Sequence, residues 1–407
     1  MRRPDHRLRF VFSILLSGVL PAGALGATCD GLPRLAAVTP PGFCVAVVAE
    51  GFRSPRALQP LPNGDIVLVD MGGWQANRGS VWRLKRVGDD YEKTQLFDRL
   101  DRPNSIALGP DGLLYLGVVQ RVVRFDANAA DPILTDVIGG DSGTAPLPGV
   151  GRHLLTSLLF GRDGNLVVNI GSGSDHCEGA DGAAPAPDSP CAEGEGKEPL
   201  GAIRKYTMKW PQGTAGGWEN YARGLRNSMA MAIDPRDGVL WQGENSRDAI
   251  NVAMPALKND NELPHDELNR IDRGAHYGWP YCYDNSQPSP EYPKGDCSGY
   301  RRPVRLLPAH AAPLGMTFYT GTRFPPAFRN SLVISFHGYR QHGHRVVALL
   351  ANRKGAPLGA SVDLIRRSAN DKQSLGAPVA VRVGSDGDIY LTDDHTGKVL
   401  KLHYQAN

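Results

Sequence analysis

Residues 152–171 read RHLLTSLLFGRDGNLVVNIG. Two apolar stretches flank the turn sequence GRDG. An Asp-Gly pair between apolar runs is a strong hairpin signal, because glycine accepts the positive φ that a tight turn needs. The same design recurs as SPRALQPLPNGDIVLVD (54–70), RPNSIALGPDGLLYLGV (102–118), GLRNSMAMAIDPRDGVLWQGEN (224–245) and GAPVAVRVGSDGDIYLTDD (376–394). A sixth copy, APLGMTFYTGTRFPPAFRNSLVISFHG (312–338), has a lengthened turn. Strand-like stretches such as SVWRLKRV (80–87) and RVVRFDA (121–127) lie between copies, so each unit holds four strands. Six such units predict an all-β fold, a six-bladed β-propeller with four-stranded antiparallel blades. The run KVLKLHY (398–404) is expected to pair with an N-terminal strand and close the ring.

The composition agrees. Among 407 residues there are 48 Gly and 32 Pro, which disfavour long helices. The segment DELNRIDRG (266–274) carries a faint helical period but is short and reads as loop. Residues 1–27 have the form of a cleaved secretory signal peptide: Arg2, Arg3, Arg7 and Arg9, then FVFSILLSGVL (10–20), then the small residues Ala24, Gly26 and Ala27. A single propeller domain over 28–407, periplasmic or secreted, is expected. Without the four Arg and one Asp of that leader, 41 basic and 41 acidic residues remain, so the formal charge of +3 becomes zero. This argues against a nucleic-acid partner, and no later run is long enough for stable membrane insertion.

Six cysteines all follow the leader. Cys29 and Cys44, Cys177 and Cys191, and Cys282 and Cys297 are 15, 14 and 15 residues apart. An exported chain favours three local disulfides between these pairs. Two of them staple the long connections 172–200 and 246–310, which are expected to lie over the binding face.

In a propeller the residues that open each repeat converge at the channel mouth. Here those positions hold Arg56, Asn104, His153, Arg226, Asn227 and His337, with Asp393 and Asp394 leaving the last repeat. Two Arg and two His in one cavity would repel without an anionic partner, and Arg forks suit carboxylates. A second dense region, 244–280, crowds Asp260, Glu262, Asp266, Glu267 and Asp272, hard oxygen ligands of the kind Ca²⁺ accepts.

The combination of GLRN (224–227) with DELNRIDRGAHYGWPYCY (266–283) and SFHG (335–338) resembles the soluble glucose/sorbosone dehydrogenases, quinoproteins of the sorbosone dehydrogenase type. The resemblance runs from about Gly42 to Leu402. It implies pyrroloquinoline quinone (PQQ) held over the channel mouth with Ca²⁺, and oxidation of an aldose C1 hydroxyl or a sugar-derived aldehyde, with re-oxidation by an external acceptor such as a cytochrome or a quinone. His153, followed by Leu158, Phe160, Gly161, Asp163 and Gly164, matches the family's general-base motif. Arg226 and Asn227 match the pair that polarises the quinone carbonyl. Arg56, Asn104, His337, Arg340 and Asp394 fall at cofactor-contacting positions. Backbone carbonyls near Ser246 and Arg247 would hold cofactor-side Ca²⁺, and Glu267 with the backbone around Tyr277 a second ion.

The chain departs from the pattern at three places. His337 stands where a Lys is common, Ala377 where an Arg is expected, and Ser172 where an acid often follows the third repeat, with Asp175 a candidate to reach in its place. Arg340 or Arg345 would compensate for the lost cations. Two other uses of the same fold are a Ca²⁺-dependent lactonase and a non-catalytic propeller that binds carbohydrate or protein.

Overall fold

The computed structural model describes residues 28–88, 90–149, 151–369 and 374–405. The expected signal peptide, 1–27, lies outside the described residues. The rest forms six antiparallel four-stranded sheets around one axis, a six-bladed β-propeller, some blades gaining an extra short strand. Blade 1 comprises Pro55–Pro60, Ile66–Asp70, Gly79–Val87 and Asp90–Leu100. Blade 2 comprises Ser105–Leu108, Leu114–Val118, Arg121–Phe125 and Thr135–Ile138. Blade 3 comprises Leu158–Phe160, Leu166–Ile170, Ala202–Lys209 and Thr214–Arg223. Blade 4 comprises Ala230–Ile233, Leu240–Glu244, His265–Arg270 and Arg305–Ala309, and blade 5 Pro313–Phe318, Leu332–Phe336, Arg345–Leu349 and Ser361–Arg367.

Blade 6 joins the two ends of the chain. Pro378–Val383, Ile389–Asp393 and Lys398–Tyr404 are completed by the N-terminal strand Phe43–Glu50, which pairs antiparallel with Lys398–Tyr404. This is the predicted closure. Lys401 reinforces it: its buried ammonium lies 2.5 Å from Asp30, 2.8 Å from Asp386 and 3.0 Å from Asp388. A charge so far from water needs such partners.

Each repeat found in the sequence forms the two inner strands of one blade. The turn glycines Gly64, Gly112, Gly164, Gly238 and Gly387 all have positive φ, and in the lengthened turn of blade 5 Asn330 takes that conformation with φ 59°. The second strand of every blade is buried along its whole length, because neighbouring blades cover both faces. That explains the mostly apolar run of this strand in five blades, while blade 4 buries Gln242 and Glu244 in it. The expectation of a loop at 266–274 is corrected: His265–Arg270 is the third strand of blade 4, and only the residues after it loop out. The α-helix found among the described residues is the single turn Ile250–Ala253, and no helix is long and apolar enough to cross a membrane.

All three predicted disulfides are present, Cys29–Cys44, Cys177–Cys191 and Cys282–Cys297. The last two staple loops that touch each other: the Cys191 amide donates to the Tyr281 hydroxyl, which donates to Glu195.

Candidate active site at the channel mouth

A belt of hydrogen bonds runs around the mouth and links every blade to the next. Arg56 Nε donates to Asn104 Oδ1 (3.1 Å), and Asn104 Nδ2 to the Thr156 carbonyl (3.1 Å). Ser157 Oγ donates to the Met229 carbonyl, and Asn245 Nδ2 to that of Pro313 (2.8 Å). His337 Nε2 lies 3.1 Å from Asp394, and Arg56 Nη1 closes the belt on Asp394 at 2.7 Å. Burial alone would raise the Asp394 carboxyl, but His337 and Arg56 outweigh it and hold it below its usual range.

Inside the belt lies a cavity of about 310 Å³ lined by residues that include His153, Arg226, Asn227, His337, Tyr339 and Arg340. Such a volume suits a small organic ligand. Arg56, Asn104 and Asp394 do not line it; they brace it from the belt, through His337 in the case of Asp394. The expected unpaired positive charge is corrected. Arg226 bonds the Asp175 carboxylate and the Asn245 carbonyl and lies 3.4 Å from Asp248. Arg340 forks onto Asp260 at 2.7 and 3.1 Å. Carboxylates from the stapled loops therefore balance the arginines, which sequence proximity did not reveal. Asp175 meets Arg226, while Ser172 Oγ lies 2.8 Å from His153 Nδ1. Ala377 is fully buried and carries no charge to the mouth.

His153 sits just before blade 3's first strand, held close to Gly171. A Cβ at Gly171 would collide with the His153 carbonyl and Cβ, so only glycine lets the two segments approach this closely. Burial pushes the imidazole pKa down and the Arg226 charge adds to this, to about 2. The ring is therefore neutral at pH 7. Asn227 adds an unpartnered acceptor: its Oδ1 is buried with no hydrogen bond.

Ser246, Arg247, Glu267 and Tyr277, assigned to two ions in the sequence, line one small cavity of about 30 Å³, together with Glu244. Glu244 and Glu267 face each other directly across the blade 4 ladder. Like charges so placed repel. Burial raises the Glu244 carboxyl to about 7 and that of Asp266, which accepts from the Ser246 and Ala312 amides, also to about 7. Burial and the Glu244 charge push Glu267 well above its ordinary value. Glu244 and Glu267, two buried carboxyls at the wall of this small space, are hard oxygen donors that a Ca²⁺ ion would ionise and satisfy, while Arg226 and Arg247 also line the space and Asp266 lines the larger cavity instead. Glu244 escaped the sequence reading; its place at the end of a strand opposite Asp266-Glu267 was the available signal. Of the acidic crowd, Asp260 pairs with Arg340, Glu262 is exposed and Asp272 is half-buried near Arg270.

The glucose/sorbosone dehydrogenase family model matches residues 144–401. A pyrroloquinoline quinone-dependent sugar dehydrogenase of Hypocrea jecorina is 22% identical across 100% of this chain and 98% of its own. The aldose sugar dehydrogenase of Escherichia coli is 25% identical over 190 residues, 45% of this chain and 43% of the relative. The chain spans half or less of the length of several curated relatives that it matches, 49% in an uncharacterised Borreliella burgdorferi protein. The calcium structure of a Trichoderma reesei carbohydrate-active enzyme superposes with TM-score 0.69 at 20% identity, covering 92% of this chain and 98% of that chain. The holo pyranose dehydrogenase PQQ domain of Coprinopsis cinerea gives TM-score 0.67 at 19% identity, covering 91% and 98%. At these identities the structures share the fold.

Proposed function

This chain belongs to the glucose/sorbosone dehydrogenase family, and on that premise we propose that it is a quinoprotein dehydrogenase that oxidises an aldose C1 hydroxyl or a sugar-derived aldehyde, with PQQ and Ca²⁺. The observation that carries this reading is the 310 Å³ cavity in which the neutral imidazole of His153 and the fixed guanidinium of Arg226 meet, with Asn227, His337 and Arg340 in its wall. The Arg226 and Arg340 guanidiniums and the Asn227 amide nitrogen are the donors that a quinone with carboxylate arms would use. Arg226, Asn227, His337 and Arg340 would hold it, with Arg56, Asn104 and Asp394 bracing the rim. When bound, PQQ supplies a two-electron acceptor for hydride.

His153 takes the proton from the substrate hydroxyl, because it is the neutral base at the cavity wall. Arg226, immobilised by Asp175 and Asn245, presents a positive charge that needs no reorganisation as negative charge develops nearby. Glu267, with Glu244 and the main chain near Ser246, Arg247 and Tyr277, would hold Ca²⁺. The mature protein is a single propeller over 28–407, exported by its leader to the periplasm or the exterior, where a cytochrome or quinone accepts the electrons.

The test is reconstitution. Purified apo-protein receives PQQ and Ca²⁺, and quinone absorbance and dye reduction are followed over a panel of aldoses and aldehydes. His153→Ala should bind the quinone and lose turnover by about 10²-fold or more. A fully active His153→Ala protein sinks the assignment of the base. No spectral change favours a binding propeller, and lactone hydrolysis without quinone favours a lactonase.

A further inference from the structure

We propose that Ser172 is a positioning residue that fixes His153 in the Nδ1-protonated tautomer and so leaves Nε2 as the basic nitrogen. The argument is one of hydrogen-bond polarity. Ser172 Oγ lies 2.6 Å from the Ser174 carbonyl oxygen and 2.8 Å from His153 Nδ1. A carbonyl can only accept, and a hydroxyl has one hydrogen. That hydrogen must point to Ser174, since two oxygens at 2.6 Å with none between them would repel. Ser172 then has only lone pairs for His153, so Nδ1 must carry the proton and donate. The other nitrogen, Nε2, has no hydrogen-bond partner among the described residues, and His153 lines the cavity.

The serine cannot easily turn away. It is fully buried, and its neighbours pin it on both sides. Its amide donates to the Arg226 carbonyl at 2.8 Å, and its carbonyl accepts from the His153 amide at 3.2 Å. Arg152 N donates to the Gly173 carbonyl at 2.8 Å, while Glu193 takes the Gly173 amide at 2.6 Å. The turn that aims the Ser174 carbonyl is thus held by three segments of chain.

This arrangement orients the base without a carboxylate. A proton from a substrate hydroxyl would go to Nε2, giving an imidazolium whose Nδ1–H still points at the neutral Ser172 oxygen. The charged groups that act on the ring are Arg226 and Arg152, which oppose protonation, and Asp175, which favours it. Ser172 therefore sets direction and tautomer, and adds no counter-charge of its own.

The tautomer stands apart from the dehydrogenase reading; only its catalytic consequence rests on that reading. Long-range ¹H–¹⁵N spectra of ¹⁵N-histidine-labelled apo-protein at pH 7, with His153 identified by the signals missing in His153→Ala, read the tautomer directly. The expected result is a pyrrole-type Nδ1 and a pyridine-type Nε2. An Nε2-protonated ring in the wild-type protein overturns the proposal, with no variant needed. Ser172→Ala should populate both tautomers and lower kcat of the reconstituted enzyme by about tenfold to a hundredfold, short of the ~10⁴-fold seen when a triad histidine is locked wrongly, with KM little changed. Ser172→Thr, which keeps the hydroxyl, should restore both. Ser172→Ala with an unchanged tautomer and kcat overturns it. If His153→Ala is fully active while the tautomer is as stated, the function assigned to His153 fails and the role of Ser172 in orienting the ring stands.

Discussion

Asp175→Asn is the most informative single substitution. Asp175 ties together the parts of the mouth: its carboxylate bonds Arg226 and accepts from the Asp248 amide, and its carbonyl accepts from Trp279 Nε1 at 3.0 Å. Both Asp175 and Arg226 are buried, with side chains 7% and 4% exposed. Removing one partner of a buried pair leaves the other charge stranded, at about 3–5 kcal/mol. Asn preserves shape and one acceptor, so the lower end, about 3 kcal/mol, is expected. With an unfolding entropy of about 2 cal/mol/K per residue over roughly 380 residues, that lowers Tm by about 4 °C.

The pH dependence gives an independent check. Burial by itself would raise the Asp175 carboxyl, but His176 and Arg226 outweigh it and hold the group far below the ordinary range. A carboxyl depressed in the folded state contributes stability above its unfolded pKa near 4, and loses it as the pH falls toward the folded value. The wild-type advantage over Asp175→Asn should therefore be full between pH 5 and 7 and shrink below about pH 4. Differential scanning calorimetry at pH 7 and pH 3.5 measures both. A Tm within about 1 °C of wild type at pH 7, or a gap that does not narrow at pH 3.5, refutes the reasoning.

Ca²⁺ at a hundred times its Kd should stabilise the wild-type protein by about 2.7 kcal/mol, roughly 3 °C in Tm, and Glu267→Gln should abolish the gain in a thermal-shift assay. Because burial raises Glu244 and Asp266 to about 7, the metal-free protein should lose stability as pH rises from about 4 to 7, and the Ca²⁺ increment should grow over the same range. Lys401→Met removes the buried cation that three aspartates share at the ring closure, although Asp388 keeps His403 and Arg323, and should lower Tm by a few degrees, seen by calorimetry. Replacing Cys177 and Cys191 by Ser removes about 3 kcal/mol of loop-closure stabilisation, and limited proteolysis within 178–190 should accelerate. Unchanged cleavage would show that hydrogen bonds such as those of Tyr281, Glu193 and Glu195 hold the loop without the disulfide.

The turns, the repeat count, the disulfide pairs and the ring closure were legible in the sequence. Each depends on interactions of short range or on simple pairing: a glycine that accepts positive φ, an alternation of side chains, cysteines some 15 residues apart. His153, Arg226 and Asn227 were also legible, because each opens a repeat and repeats place their openings at one end. The charge at the mouth was not. Arg56 and Asp394 are 338 residues apart in the chain, and Arg226 and Asp175 are 51 apart, on different blades or loops. Closing the ring brings the first pair within bonding distance and the packing of neighbouring blades and their loops the second, and that turns an expected cluster of bare cations into a set of neutralised pairs. Likewise Glu244 and Glu267 became neighbours through strand register, and Ser172 became an acceptor through the carbonyl that claims its one hydrogen. Local backbone geometry is written residue by residue. Protonation and pairing depend on what the tertiary fold removes from water and what it places alongside.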